Sequence, residues 1–180
     1  KIRSAIGSEP SIKIDMTEGY SVKGAISAIR ALEEYGVDWI EQPVHHSLLQ
    51  GLREVRQSVT TPIVVDESAT SVEDLLAVIS VSAADGVHIK LPVIGGFTVA
   101  RKMLALAEAA HLYALPGSDT ASGVGLAAAV HFAASIPPHP HSDNAPVPAF
   151  VEYDVGDNPL RDAILENPIV IREGSIAVSS

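Results

Sequence analysis

Four residues in this chain recur at an interval that invites chemistry. Asp15, Glu41, Asp66 and Lys90 are separated by 26, 25 and 24 residues. Each falls at or next to the end of a short apolar or β-branched run: "SIKID" (11–15), "VDWIE" (37–41), "PIVVDE" (62–67) and "GVHIK" (86–90). Three carboxylates brought within a few ångströms of one another cannot all stay ionised at neutral pH without a counter-ion, because mutual repulsion raises their pKa values. A divalent cation resolves that conflict. An all-oxygen ligand set without His or Cys selects a hard ion such as Mg2+, with Mn2+ able to take the same ligands. A lysine beside such an ion, partly withdrawn from water, has a lowered pKa and can act as a general base. The cation then polarises a substrate carboxylate and stabilises the enediolate left when the α-proton departs.

The alternative reading of each residue is plain. Acids that follow strands are often helix N-caps or solvated loop residues, and a lysine after an apolar strand is often solvent-exposed. The common phase of the four separates the two readings, so the elements that hold them become the question.

Those elements alternate. Residues 21–36 place Val22, Ile26, Ile29 and Leu32 at helical spacing, with Ser21 positioned to cap the start and Gly36 to stop the end. Helices are likewise expected around 47–58, over 71–83 with Ser71 as cap and Asp74 at the capping-box position, and over 96–112 and 121–136. Further strands are expected at 113–118 and 148–152, and "NPIVIREGSIAVSS" reads as a strand pair. Strand alternating with amphipathic helix means right-handed βαβ units on a parallel sheet.

In a parallel sheet every C-terminal strand end lies on one edge, and in a (β/α)8 barrel that edge is the active-site face. A doubly wound, flavodoxin-like sheet would show the same beat but normally offers a glycine-rich first turn for phosphate. No GxGxxG follows a strand here. The expected fold is therefore α/β, a (β/α)8-type TIM barrel. Adjacent strands lie about 4.8 Å apart, so acids at successive strand ends converge. Glu41 is then a metal ligand, and Pro43 turns the chain away behind it.

Bulk properties narrow the function further. The 180 residues are 47% hydrophobic and 19% charged, an ordinary globular composition. A net charge of −10 opposes an electrostatic grip on nucleic acid or an anionic membrane. Without cysteine there is no disulfide framework and no thiolate chemistry, which fits a cytoplasmic setting. No apolar stretch of membrane-spanning length is present. The chain opens at Lys1-Ile2-Arg3 as if in mid-helix and shows roughly six βα units, whereas a full barrel takes about 250 residues. Residues 1–180 thus read as one partial barrel domain from which the early strands are missing.

At these residues the chain resembles the enolase superfamily, in its mandelate racemase and muconate lactonizing enzyme group. "IDMTEGYSVKGAISAIRALEEYGVDWIEQPV" is similar to that group's third-to-fourth strand segment, "PIVVDES" to its fifth, "HIKLPVIGGFTVARKM" to its sixth and "SGVGLAAAVHFAAS" to its late helix. The resemblance implies that strands three to eight are present and that the capping domain and first strands lie before Lys1. It implies Asp15, Glu41 and Asp66 as ligands of Mg2+ and Lys90 as an acid/base residue of the muconate lactonizing branch. Glu152, in "FVEYD", matches the eighth-strand acid that contacts the substrate carboxylate, and Asp119, in "PGSDTASG", falls where substrate contacts lie.

One departure is Asp15-Met16-Thr17 in place of the group's Asp-x-Asn, which gives Thr17 a shorter reach as a substrate contact. The second acid/base residue, a Lys-x-Lys motif, is expected upstream. The implied activity is Mg2+-dependent abstraction of a proton α to a carboxylate of a small substrate. Racemase or epimerase action is expected first, with cycloisomerase or dehydratase action as the alternative, in a homo-oligomer. A catalytically incomplete or structural half-barrel is the reading from another class.

Other residues invite less. His45 and His46 either line the site mouth or form a solvated loop pair, and His88 reads as a packed barrel residue. The histidines of "PPHPHSDNAPVP" (137–148) read as part of a proline-stiffened loop.

Overall fold

A computed structural model of the protein describes residues 1–118, 121–137, 150–153, 156 and 158–178. The elements run α1 (Ile2–Ile6), β1 (Lys13–Asp15), α2 (Val22–Leu32) with a 3-10 turn over Glu33–Tyr35, β2 (Trp39–Glu41), α3 (Leu49–Ser58), β3 (Ile63–Val65), α4 (Val72–Ser80) and β4 (Gly86–Lys90). There follow α5 (Leu91–Ile94), α6 (Phe97–Ala109), β5 (Tyr113–Gly117), α7 (Gly123–Ser135), α8 (Pro159–Asp162) and a hairpin, β6 (Ile171–Arg172) with β7 (Ser175–Ile176). The strands bond in chain order β1-β2-β3-β4-β5, and the pairs β1–β2, β2–β3 and β3–β4 are parallel. Two compact units result, Lys1–Val87 and His88–Ser180, with β4 crossing the division.

Register explains which side chains face which way. Ile14 pairs with Ile40, Ile40 with Ile63, and Val65 with Val87. Successive strand residues point to opposite faces, so these apolar residues share one face. Ile40, Ile63, Val65 and Val87 are fully buried, as are Ala25 and Ile29 of α2, Leu52 and Val55 of α3, and Leu75 and Val78 of α4. That face is the one the helices cover. The opposite face carries Lys13 beside Trp39, then Asp15 beside Glu41 beside Val64.

Helix ends follow their sequence signals. Ser21 and Ser71 accept hydrogen bonds from the Gly24 and Asp74 N–H groups, the usual N-cap arrangement. The Asp74 carboxylate, however, accepts from the hydroxyls of Thr70 (3.0 Å) and Ser71 (2.7 Å). Gly36 ends the 3-10 turn at φ 63°, a left-handed position that favours glycine.

Acids also close the N-terminal strand edge, in a purely structural role. Asp38 Oδ2 accepts from the Ile12 N–H at 2.8 Å, and Asp85 accepts from the Ile63 N–H at 2.9 Å and from Arg56 Nε at 2.8 Å. Each ties the start of its own strand to the start of a neighbour.

Two expectations need correction. Residues 150–152, expected as strand, have no strand pairing; 148 and 149 lie outside the described residues. The short helix α5, started by Pro92 near its N-terminus and stopped by Gly95 at φ 94°, was not expected. The strand pair near the C-terminus is present as the antiparallel β6–β7 hairpin.

Candidate active site

Within the first unit, Asp15 and Glu41 are direct partners across β1 and β2. Glu41 in turn pairs with Val64, which places Asp66, two residues on, in phase with it just beyond β3. Asp15 and Glu41 therefore share one face of the sheet, and Asp66 stands just past the end of the next strand; among the described residues the three do not form a cluster with ligand atoms within 4.8 Å of one another. Glu41 is buried, Asp66 half-buried and Asp15 exposed. Asp15 Oδ1 accepts from the Thr17 N–H at 2.8 Å. Thr17 is exposed on the loop just past Asp15, at φ 42°.

Behind these acids sits Gln42, fully buried and itself at φ 33°. Its Nε2 donates to Val44 O at 2.9 Å and Ser68 Oγ at 2.8 Å; its Oε1 accepts from the N–H groups of Asp66 at 3.0 Å and Ser68 at 3.2 Å. Its backbone N–H donates to Val64 O (2.9 Å) and its carbonyl accepts from the Glu18 N–H (2.8 Å). One side chain thus joins the loops after β2 and β3, and the backbone of the same residue adds the loop after β1. A non-glycine residue in the left-handed region persists where its surroundings over-determine it, and six hydrogen bonds do so here. Sequence reading passed over Gln42; the signal available was an amide directly after Glu41 and before a proline.

Glu67 was also missed. Its Oε2 is buried and has no hydrogen-bond partner. Burial pushes its carboxyl pKa up, against its own backbone N–H, and the charges of Asp66, Asp15 and Glu18 raise it further. A Glu67 carboxyl raised first by burial and then by the charges of Asp66, Asp15 and Glu18, with a buried oxygen left unbonded, is what a nearby dication would relieve. The hard-oxygen donor set of Asp15, Glu41 and Asp66 fits Mg2+ on this observation.

Beside it, Glu18 Oε1 accepts from the His46 backbone N–H at 2.6 Å and lies 2.7 Å from His46 Nδ1. Partial burial pushes the Glu18 carboxyl up, but the two His46 hydrogen bonds and both imidazoles outweigh it, and its pKa is lowered overall. His45 stacks on His46 with ring centroids 4.1 Å apart. Both histidines are solvent-exposed, and their loop is tied to the one after β1 through Glu18.

β4, which crosses the division, presents Gly86, His88 and Lys90 on one face, since they alternate with Val87 and Ile89. His88 is buried in the strand, as a packed residue would be. The Lys90 stem lies across Gly117 at the end of β5. A Cβ on Gly117 would stand 2.5 Å from Lys90 Cγ and 2.9 Å from Cε, so glycine is what lets the lysine run along that strand end. Glu152 reaches the same end. Its backbone N–H donates to Pro116 O (3.4 Å), and its Oε2 accepts from the N–H of buried Ser118 (3.1 Å). Lys90 and Glu152 are therefore both anchored at the C-terminal end of β5, Glu152 from an irregular segment and not a strand. Asp119 lies outside the described residues.

Residues 1–180 match the family described as enolase C-terminal domain-like. The chain is 38% identical over 137 residues to the L-Ala-D/L-Glu epimerase of Bacillus subtilis, covering 75% of this chain and 37% of that protein. Among solved structures it is similar to a dipeptide epimerase from Cytophaga hutchinsonii complexed with Mg and the dipeptide D-Ala-L-Val (36% identity, TM-score 0.71, 73% of this chain and 36% of that one). It is also similar to the 3,6-anhydro-D-galactonate cycloisomerase from Zobellia galactanivorans (26% identity, TM-score 0.87, 99% and 48%). The chain spans 37% to 49% of the length of the first curated relatives it matches.

Proposed function

Because this chain belongs to the enolase C-terminal domain-like family, we propose that the protein it forms part of removes the proton α to a carboxylate and returns one, as a racemase or epimerase of small carboxylate substrates such as dipeptides. Asp15, Glu41 and Asp66 would hold Mg2+. Bound there, Mg2+ supplies positive charge that stabilises the enediolate, the chemistry of enolase-superfamily sites. Every other duty falls to side chains.

Lys90 Nζ takes the α-proton from one face of the substrate as general base, and the second acid/base lysine, expected upstream of Lys1, gives a proton to the opposite face, which inverts the centre. Its stem is held against Gly117, which limits the positions its amine can sample. Glu152, oriented by the Ser118 N–H, donates to the substrate carboxylate when protonated. Gln42 holds the Asp66 and Ser68 backbones so that the acids need not reorganise during turnover. Thr17 and Asp119 are assigned to the substrate's remaining polar groups.

The observation that best supports this reading is the direct pairing of Asp15 with Glu41 across β1 and β2, with Asp66 just past the end of the next strand. It is tested by exchange of the α-proton of L-Ala-L-Glu into deuterated water, followed by NMR on the full-length protein with Mg2+. Lys90→Ala is expected to slow exchange by about 10²- to 10⁴-fold, the usual worth of a positioned general base. Exchange at the wild-type rate would remove Lys90 from the mechanism.

A cycloisomerase reading has one observation in its favour. Two cycloisomerase relatives, acting on galactarolactone and 3,6-anhydro-D-galactonate, match along 98% and 99% of the chain, whereas the epimerases match along 73–75% and a chloromuconate cycloisomerase along 78%. Turnover of a muconate or sugar lactone with no dipeptide exchange would favour it.

A further inference from the structure

We propose that Glu18, His45 and His46 form a second divalent-cation site, one that prefers imidazole-binding transition metals such as Zn2+ and Cu2+ over Mg2+. It stands apart from the Asp15, Glu41 and Asp66 set and does not depend on the epimerase reading. The ligand-capable atoms of these three side chains all lie within 4.8 Å of one another. Ligands on a tetrahedral Zn2+ with bonds of about 2.0–2.1 Å stand roughly 3.4 Å apart. Closing the set therefore needs a shift of about an ångström, within reach of two exposed rings on a loop.

The rings are oriented for it. Metal-bound histidines typically engage a carboxylate, hydroxyl or carbonyl through the other ring nitrogen, which fixes the ring and the tautomer. His46 Nδ1 is engaged by Glu18 Oε1 at 2.7 Å and His45 Nδ1 by Ser47 Oγ at 2.9 Å. In His45 that leaves Nε2 for the ion, whereas His46 Nδ1 and Glu18 Oε1 already stand at a distance that one ion bound by both would span. The two rings lie close together, with centroids 4.1 Å apart and planes tilted by 32°. Glu18 therefore enters as a ligand beside His46 Nδ1 and not as its outer partner. Two imidazoles and a carboxylate are a borderline-soft set, and Mg2+ has little preference for imidazole.

The test uses Zn2+ and Cu2+ as probes on the intact protein, in excess Mg2+. One equivalent of Zn2+ retained through dialysis, and a Cu2+ EPR spectrum with hyperfine coupling to two nitrogens, are the expected results. The double variant His45→Gln/His46→Gln should weaken Zn2+ at least about 100-fold, while Asp66→Asn should leave it unchanged. A Cu2+ spectrum without nitrogen coupling overturns the proposal without recourse to any variant. So does Zn2+ affinity that survives the double variant but falls in Asp66→Asn, since the ion would then lie among the carboxylates.

Discussion

Replacing Gln42 by leucine keeps the bulk of a side chain that is fully buried and deletes all four of its side-chain hydrogen bonds. The groups left behind are the N–H of Asp66, the N–H and hydroxyl of Ser68, and the carbonyl of Val44. A buried hydrogen bond contributes a net of about 1 kcal/mol, but a buried partner stranded by the loss of its mate costs about 1–3 kcal/mol. The two N–H groups share one acceptor, and Ser68 Oγ keeps its own donation to His46 O at 3.4 Å. The four losses are therefore not additive, and the expected cost is about 3–5 kcal/mol. That is a large share of the about 5–15 kcal/mol that holds a typical domain together.

The direct assay is urea unfolding, read as a fall in midpoint at unchanged slope. Hydrogen exchange gives the local readout: the amides of Asp66 and Ser68 should lose protection before those of Ile63 and Val65 in the strand behind them. Calorimetry should show weaker Mg2+ binding, because the Asp66 backbone is no longer held. A variant within about 0.5 kcal/mol of wild type, the range of ordinary surface substitutions, would refute the claim that Gln42 holds this edge together.

Other expectations follow from the same geometry. Gly117→Ala places a methyl group 2.5 Å from Lys90 Cγ and so swings the lysine aside; α-proton exchange should slow at least about tenfold while the melting temperature moves little, and an unchanged rate would show that the lysine stem is not confined. Glu33 accepts from the Thr60 N–H and hydroxyl and the Thr61 N–H, and the Thr60 N–H foremost holds its pKa down. Its contribution is complete above the unfolded carboxyl pKa of about 4.3 and is lost as pH falls through the lower folded value, so the melting-temperature gap between wild type and Glu33→Gln should be widest near neutrality and close in acid. Glu67 runs the other way: its raised pKa means a penalty that is absent in acid and grows as pH rises through the folded value. Glu67→Gln should therefore raise the urea midpoint of the Mg2+-free protein at neutral pH, and less so with Mg2+ added; no gain at any pH would show that the acids do not repel one another.

Much of the fold was legible because strand and helix periods are written in apolar side chains. Ile40, Ile63, Val65 and Val87 had to be buried together, and that alone fixes the phase that sends Asp15 and Glu41 to the other face. Features that depend on backbone partners were not legible. Residues 150–152 carry a strand-like composition, but the described segment makes its recorded bonds through Glu152, to Pro116 O and from the Ser118 N–H, rather than along a ladder. Glu67 was not legible either: β3 ends at Val65, so strand alternation does not say where the residues after it point.

The site poses a subtler problem, because acids flank both ends of these strands and composition cannot tell them apart. Asp38 and Asp85 stand one residue before β2 and β4, and each accepts a backbone N–H from the neighbouring strand. Their charge is answered by the fold. At the other edge Asp15 accepts one N–H, Glu18 is answered by His46, and Glu67 keeps an oxygen with no partner at all. Parallel sheets make this asymmetry readily available. At the N-terminal edge a strand's first residues leave N–H groups that an acid can cap, whereas the C-terminal edge opens into loops whose donors must be brought in. Here Gln42 spends its amide on holding those loops and offers nothing to the acids' side chains. Gln42 thereby fixes the backbone of the edge at which Asp15, Glu41 and Asp66 stand.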